Sequence, residues 1–383
     1  MKITDLNKCS GCSLCEWSCP TKAINIKYLN DSLFYYPVIN EEKCIKCGKC
    51  ISICPSNNVI ELLNQKKCFI AQTKEKKLLK TVTSGGIASS ISKQFIKNGG
   101  IVYGAAFTRD MYVEHIRCDS EEKCELIKGS KYIQSDISNI YKAINQDLIN
   151  RLPVLFIGTP CQCIAMRKMF SKYSNFYCCD FICNGVASPK IFISHIKNLE
   201  RIYRCKIKNY IFRPKTKNYL EPYEVFNDIN GKKYRIKSPW KKWGSIYYAG
   251  LAMRSSCYNC IYTSNSRVGD ITFSDISFKL MEKMKEKLFL NISIYGASHI
   301  SINSEKGIKL LQMVKEKVFL ENVEEYIVDK NKHIKHNFKI SEEFCKIANI
   351  SLEEAKLKYL GKKMKIKGLI IDIIEFIKNN KEK

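Results

Sequence analysis

The chain has 383 residues, enough for two or three domains, and sets 64 Lys and Arg against 37 Asp and Glu for a formal charge of +27. Only ten of those bases are Arg and no Arg cluster occurs, which argues against base and phosphate reading and predicts no nucleic-acid partner. No leader-like segment precedes the first Cys and no uncharged stretch nears the length of a membrane span, so the 20 cysteines predict a reducing, cytoplasmic setting, in keeping with an anaerobic cell, where thiols act as metal ligands or small core residues.

The N-terminus carries the pattern C-x2-C-x2-C-x3-C-P twice: Cys9, Cys12, Cys15, Cys19-Pro20, then Cys44, Cys47, Cys50, Cys54-Pro55. This is the spacing of bacterial ferredoxins, in which the fourth Cys of each run ligates the other cluster. Cys9, Cys12, Cys15 and Cys54 are therefore expected to hold one 4Fe–4S cube, and Cys44, Cys47, Cys50 and Cys19 a second. Zinc sites pair C-x2-4-C units with a distant second pair and have no use for the Pro. Gly11 and Gly48 fall inside the loops, where a Cβ would obstruct the approach of backbone to inorganic sulfide. Between the runs, residues 23–28 and 34–39 alternate as short strands around a turn at Asn30-Asp31-Ser32. Residues 1–63 thus read as an α+β ferredoxin-like module, and the charged residues 64–80 as a linker.

From residue 81 the pattern becomes strand and helix in alternation, which predicts an α/β domain over 81–340 with a mixed, mostly parallel sheet. Ser84-Gly85-Gly86 opens a helical run ending at Gly99-Gly100, and the apolar strand 101–107 follows. Residues 153–157 form a strand leading into Gly158-Thr159-Pro160-Cys161-Gln162 and a helix over 164–170. Residues 176–182 form another strand, ending in Cys183-Asn184-Gly185, and Ser188-Pro189 caps the next helix. Ligands gather at the carboxyl ends of strands in such folds, and Cys161 and Cys183 both sit there. With the C-x2-C pair Cys257 and Cys260 they can supply four thiolates for a third cube. On spacing alone Cys161 and Cys183 serve equally well as buried core thiols, with the C-x2-C redox-active or bound to zinc.

Ser84-Gly-Gly at a helix start offers backbone N–H groups and a positive dipole end to a phosphate, or serves as an ordinary cap. Lys128 and Lys131 around Gly129 can add charge to the same anion or remain solvated. No G-x-G-x-x-G is present, which disfavours a dinucleotide-fingerprint Rossmann domain. His195, one of five His, falls in a helix where a surface position is expected. Residues 341–383 read as a helical tail. Its Ile366, Leu369, Ile370, Ile373, Ile374 and Ile377 recur at helical spacing among lysines, which predicts either packing on the body or peripheral contact with a membrane.

Ser84-Gly-Gly, Gly129-Ser-Lys-Tyr-Ile-Gln-Ser, Gly158-Thr-Pro-Cys-Gln, Asp180-Phe-Ile-Cys-Asn-Gly-Val-Ala-Ser-Pro and Arg254-Ser-Ser-Cys-Tyr-Asn-Cys together resemble the coenzyme F420 hydrogenase/dehydrogenase beta-subunit family, with a ferredoxin module fused in front. The resemblance implies an iron–sulfur flavoprotein oxidoreductase. FAD would lie beside a 4Fe–4S cluster on Cys161, Cys183, Cys257 and Cys260, with Ser84, Gly85, Gly86, Lys131, Thr159 and Pro160 as its contacts. It implies a redox partner protein or ferredoxin and a small-molecule substrate, which in bacterial relatives is often linked to polysaccharide biosynthesis. The alternative is a non-catalytic electron-transfer subunit of a larger complex. Two departures stand out: Asn184 where relatives have His, and Ser274-Asp275-Ile276-Ser277 where they read Gly-Asp-Phe-Trp. No catalytic side chain is assigned.

Overall fold

The computed structural model describes residues 2–29, 32–58, 60–215, 223–276, 296–323 and 338–381. Asn30 and Asp31 of the expected turn, and Ser277, lie outside the described residues. The N-terminal module contains the antiparallel hairpin β1 (Ile24–Tyr28) and β2 (Tyr35–Ile39) between short helices Leu14–Trp17 and Lys49–Ile53.

An eight-stranded sheet follows. It is built from β3 (Lys67–Thr73), β4 (Ile101–Phe107), β5 (Val113–Cys118), β6 (Val154–Gly158) and β7 (Phe176–Phe181), and, after a three-stranded antiparallel sheet of β8 (Ile207–Ile211), β9 (Glu224–Asp228) and β10 (Lys233–Ile236), from β11 (Ile271–Asp275), β12 (Ser298–Ile302) and β13 (Val318–Val323). The order is β13-β3-β12-β11-β7-β6-β4-β5.

Only the centre is parallel: β4 with β6, β6 with β7, and β7 with β11. The four flanking pairings are antiparallel, so the sheet is mixed rather than mostly parallel. One flank closes through β3, which pairs with β12 and β13 from far along the chain, and local periodicity does not report such a pairing. The expected linker is also corrected. Residues 67–73 form β3 and pair on both sides with β12 and β13, because Phe69, Ile70 and Ala71 carry enough apolar surface to enter the sheet despite the lysines around them.

Central strands bury both faces. Val102, Leu155 and Cys179 point to one layer with Ile87, Ile91 and Phe95 of the helix Ile87–Lys97. Their neighbours Tyr103, Phe156 and Cys178 point to the other, with Ile164, Tyr141 and Leu14, as the two-residue period of a strand requires. That second layer includes a residue of the N-terminal module: Leu14 is fully buried in it. The module is also tied by Tyr141 Oη to Cys12 O at 2.7 Å, Tyr35 Oη to Ser135 O at 3.0 Å and Ser188 Oγ to Leu33 O at 2.9 Å. Leu33, Phe34 and Tyr36 share a core with Phe192, Trp243 and Ile246. About sixty residues bury too little surface alone, and this module takes the remainder from the large domain.

His195 is not on the surface. It is 1% exposed, with Nε2 3.4 Å from Tyr210 Oη and its ring among Phe192 and Trp243. Its helix, Pro189–Tyr203, presents an apolar face that includes position 195, so the ring is carried into the core. Replacing Leu14 by Ala should cost about 2 to 5 kcal/mol through the cavity left between module and domain. The expected readout is a lower thermal midpoint, with bound iron lost at the same temperature as the large-domain helical signal.

Candidate functional site

The twelve cysteines expected to act as ligands fall into three mutually close groups. Cys12 and Cys15 each feel Cys9 and Cys54. Cys50 feels Cys19 and Cys44, and Cys19, Cys44, Cys47 and Cys50 line one small hollow. Cys183 feels Cys257, Cys161 and Cys260, and Cys257 and Cys260 feel Cys161 in turn. Each N-terminal group therefore mixes three cysteines of one run with the fourth of the other.

The chemistry of these groups fits a metal cluster better than free thiols. Burial first, then the neighbouring cysteines, pushes the Cys12 thiol up to about 12; burial likewise pushes Cys257 to about 12 and Cys260 to about 11. Four crowded thiolates in a dry site need a compensating cation. In the second group, burial opposes ionisation of Cys19, but hydrogen bonds from Ala23 N–H at 3.2 Å and from Thr21 hold its thiol below the usual range.

The groups are joined by side chains that sequence reading missed. Arg254, next to the C-x2-C, is 1% exposed. Its Nε donates to Cys9 O at 2.7 Å, and its other nitrogens donate to Gln134 Oε1 at 2.9 Å, Tyr35 O at 3.0 Å and Cys9 Sγ at 3.6 Å. The guanidinium also lies 4.5 Å from the Tyr36 ring centroid. Burial raises both Cys161 and Cys257, and the guanidinium partly opposes that rise, so it lies within electrostatic reach of the third group while bonded to the first. Tyr262 lies within electrostatic reach of Cys161 and Cys260 and also of Cys12 and Cys54. The only sequence signal for Arg254 was its place in the Arg-Ser-Ser-Cys motif. Gly11 has φ +69°, and a Cβ there would lie 2.7 Å from Gln134 Nε2 and 3.0 Å from the Arg254 guanidinium, so the arginine adds a second reason for that glycine.

A cavity of about 310 Å³ opens at the carboxyl ends of the parallel strands, where Gly158 faces Asp180 across β6 and β7, and Phe181 faces Phe273 across β7 and β11. Its wall includes Ser84, Gly86, Lys131, Thr159, Cys183 and Asn184. Gly86 caps the helix Ile87–Lys97 with φ +81° and no side chain caps that terminus, which leaves the dipole end directed at the cavity. Lys131 is held by the carbonyls of Leu126 at 3.2 Å and Lys128 at 2.8 Å, and burial lowers it to about 7. Lys215, which donates to Ser84 O at 2.7 Å, is brought down to about 8 by burial. A bound anion would return both to full charge.

Two of the expected contacts are not in the wall. Gly85 N–H is taken by Ser298 Oγ at 2.9 Å, and a Cβ on Gly85 would meet Ala71 O at 2.3 Å. This glycine packs against the sheet, and its N–H is already spent before any phosphate arrives. Pro160 occupies the first position of the helix Pro160–Phe170 and is buried beneath Thr159, whose side chain forms a capping box with Gln162. Thr159 Oγ1 lies 3.2 Å from Cys161 Sγ. Cys161 and Cys163 belong to the first turn of this helix, not to an extended strand end, and point apart: Cys163 Sγ donates inward to Cys179 O at 3.3 Å. Asp180 of the Asp-Phe-Ile-Cys motif is a structural group, fully buried and paired with Arg267 at 3.1 Å.

Both departures from the family pattern fall on the cavity wall. Asn184 follows Cys183, and Ser274 lies at the end of β11 with its buried Oγ unpartnered. Asp275 beside it is paired with Arg213. His115, also in the wall, is neutral: burial lowers it from 6.5 to about 4. Its Nε2 lies 3.0 Å from Ile157 O, which assigns the proton to Nε2, and leaves Nδ1 a buried acceptor without a partner. Two orphaned polar atoms in one apolar-lined cavity fit a ligand carrying its own hydrogen-bonding groups.

Replacing Arg254 by Met would leave the Cys9 and Tyr35 carbonyls and Gln134 unpaired, at a cost of about 3 kcal/mol or more. The loss of a positive donor near Cys9 Sγ should also lower the potential of the N-terminal clusters by roughly tens of millivolts in anaerobic redox titration. For His115, the unfolded chain binds a proton below 6.5 that the folded chain refuses until about 4. Stability is therefore lost as pH falls through that window, by about 3 kcal/mol for this residue. A His115→Gln chain should show a shallower fall in denaturation midpoint over the same range.

Residues 153–326 match the family model for the C terminus of the beta subunit of coenzyme F420 hydrogenase/dehydrogenase, and residues 8–58 match a 4Fe-4S dicluster domain. The chain is 37% identical over 51 residues to the B subunit of the ion-translocating oxidoreductase complex of Methanosarcina acetivorans; the match covers 13% of this chain and 17% of that relative. Among solved structures, a chain of the F420-reducing [NiFe] hydrogenase complex from Methanosarcina barkeri is 16% identical with a TM-score of 0.48, over 74% of this chain and 91% of that one.

Proposed function

We propose that this chain, which joins a 4Fe-4S dicluster domain to a domain of the coenzyme F420 hydrogenase/dehydrogenase beta-subunit family, passes electrons between a redox partner protein and a small molecule bound beside FAD in the large domain. An iron–sulfur oxidoreductase role is the level at which both domain matches agree. The finer reading rests on one observation: Cys183 belongs to the third cysteine group and to the wall of the cavity at once.

The order of the groups supports a relay. Cys15, Cys50 and Cys54 share one small core, which sets the two N-terminal groups side by side. Arg254 and Tyr262 then join the first group to the third. In this reading Cys9, Cys12, Cys15 and Cys54 hold one cube, Cys44, Cys47, Cys50 and Cys19 the second, and Cys161, Cys183, Cys257 and Cys260 the third. Cys47 is exposed, with exposed Lys43, Lys46 and Lys49 around it, so an acidic redox partner or ferredoxin would meet this end.

FAD when bound supplies hydride and single-electron chemistry. The chain's own residues bind and orient: the terminus at Gly86 and the amines of Lys131 and Lys215 would take the diphosphate, and the wall near Cys183 and Asn184 would take the ring. Thr159 would brace Cys161 from beneath. His115 Nδ1 would accept a hydrogen bond from the ligand. Asn184 cannot donate a proton as the family's His would, so the substrate would need its proton from another source.

Replacing Cys161 by Ser in the full chain should remove about four irons, leave the ferredoxin-type spectrum intact and stop flavin reduction by electrons supplied at the N-terminal module. Replacing Cys163, which faces the core, should do neither. Anaerobic purification with cofactor extraction decides the rest: iron–sulfur spectra without flavin would overturn the enzyme reading in favour of an electron-relay role.

A further inference from the structure

The terminal helix Leu352–Lys381 is broken at Gly361, where φ is 80° and ψ 158°. Beyond the break it sits on the body the opposite way round from an ordinary surface helix. Its inward side carries the segment's two acids, with Met364 and Ile371 half-buried beside them. Asp372 pairs with Lys241 at 3.0 Å and Glu375 with Lys237 at 2.9 Å. Lys365 lies 5.6 Å from the Trp240 ring, and Gly368 is pressed so closely that a Cβ would come within 2.8 Å of both Ser238 Oγ and Trp240 Cβ. Its outward side is aliphatic. Ile366, Leu369, Ile370, Ile373, Ile374 and Ile377 are each 45 to 58% exposed. They follow the i, i+3, i+4, i+7, i+8, i+11 spacing of a single stripe.

A surface helix normally turns such a stripe toward the core, and a contiguous exposed aliphatic stripe marks a contact surface. Charge identifies the occupant. The two acids between 362 and 377 are both spent on lysines of the body. Lys362, Lys363 and Lys367 are exposed and flank the stripe on the helix surface. Among the described side chains of this segment, the outward side therefore offers aliphatic groups and cations. A second copy would set lysine-edged stripe against lysine-edged stripe, with like charges opposed. No described helix is long and apolar enough to cross a membrane. An interfacial helix, by contrast, needs this combination of strong amphipathicity, basic edges and modest overall hydrophobicity.

We propose that the segment 362–381 is an interfacial anchor that seats the protein on an anionic lipid surface. The aliphatic stripe enters the headgroup boundary and the flanking lysines meet lipid phosphates. The break at Gly361 and the two ion pairs fix the helix to the body with its stripe outward, so the site is preformed.

The test uses the full chain, purified without oxygen, and vesicles of phosphatidylcholine with and without phosphatidylglycerol. The chain should co-sediment with the anionic vesicles and only weakly with the neutral ones, and added salt should release it. An Ile370→Ser, Ile373→Ser chain should lose affinity about a hundredfold, since each buried side chain contributes about a factor of ten. Replacing Lys362, Lys363 and Lys367 by Gln should weaken binding to the anionic vesicles and flatten its salt dependence. Both variants should keep wild-type iron content and helicity, because every altered side chain is exposed. Failure of the wild type to bind anionic vesicles overturns the proposal, as does equal binding by the Ser variant. A dimer in sedimentation velocity that the Ser variant abolishes would assign the stripe to a second copy instead. None of these outcomes depends on flavin or on the third cluster.

Discussion

The buried guanidinium of Arg254 is the contact on which the arrangement turns. It touches the main chain and sulfur of Cys9, the hairpin at Tyr35 and the large domain through Gln134. Removing a cation of this size from water is expensive unless every donor finds an acceptor and counter-charge lies near. Carbonyls and aromatic faces meet part of that demand, and thiolates of two cysteine groups would meet the rest. The same residue thus fixes the position of the module, narrows the room at Gly11 and favours the ionised form of Cys161 and Cys257. Docking of the module and the electrostatics of its cysteines are one problem with one solution.

The sheet explains why the third cysteine group can exist. Cys161, Cys183 and the 257–260 pair are far apart in sequence, yet β6 and β7 are parallel neighbours whose carboxyl ends are in register. Each is followed at once by a cysteine-bearing turn. The cavity occupies the same edge because there the strand carbonyl ends give way to loops and to the start of the helix Ile87–Lys97. The third cysteine group and the cavity are adjacent because both are placed by the ends of the same strands.

Much of this was legible in the sequence where the signal is local. The paired Cys runs, the hairpin strands, the helix after Gly86 and the strands before Cys161 and Cys183 each depend on spacing or periodicity within about ten residues. What escaped was long-range. β3 looked like a charged connector because its burial comes from pairing with β12 and β13. His195 looked like a surface residue because its helix is covered by Tyr210 and Trp243. Gly85 looked like part of a phosphate loop because φ and packing, not composition, separate it from Gly86. Arg254 and His115 act through groups brought from distant segments, and no single-sequence pattern encodes that.

The net charge of +27 acquires a different meaning once its lysines are located. Many lysines lie on solvated faces, but three sets have specific surroundings. Lys43, Lys46 and Lys49 surround the exposed Cys47. Lys131 and Lys215 are held by carbonyls against the mouth of the cavity, at the expense of their own protonation. Lys362, Lys363 and Lys367 edge an aliphatic stripe whose neighbouring acids are already paired. Each set lacks the arginine forks that read bases, and in the proposed reading each would face a different anion: an acidic protein, a diphosphate and a lipid headgroup. A chain that met three such counterparts on three surfaces would have reason to be basic throughout, without a nucleic-acid partner.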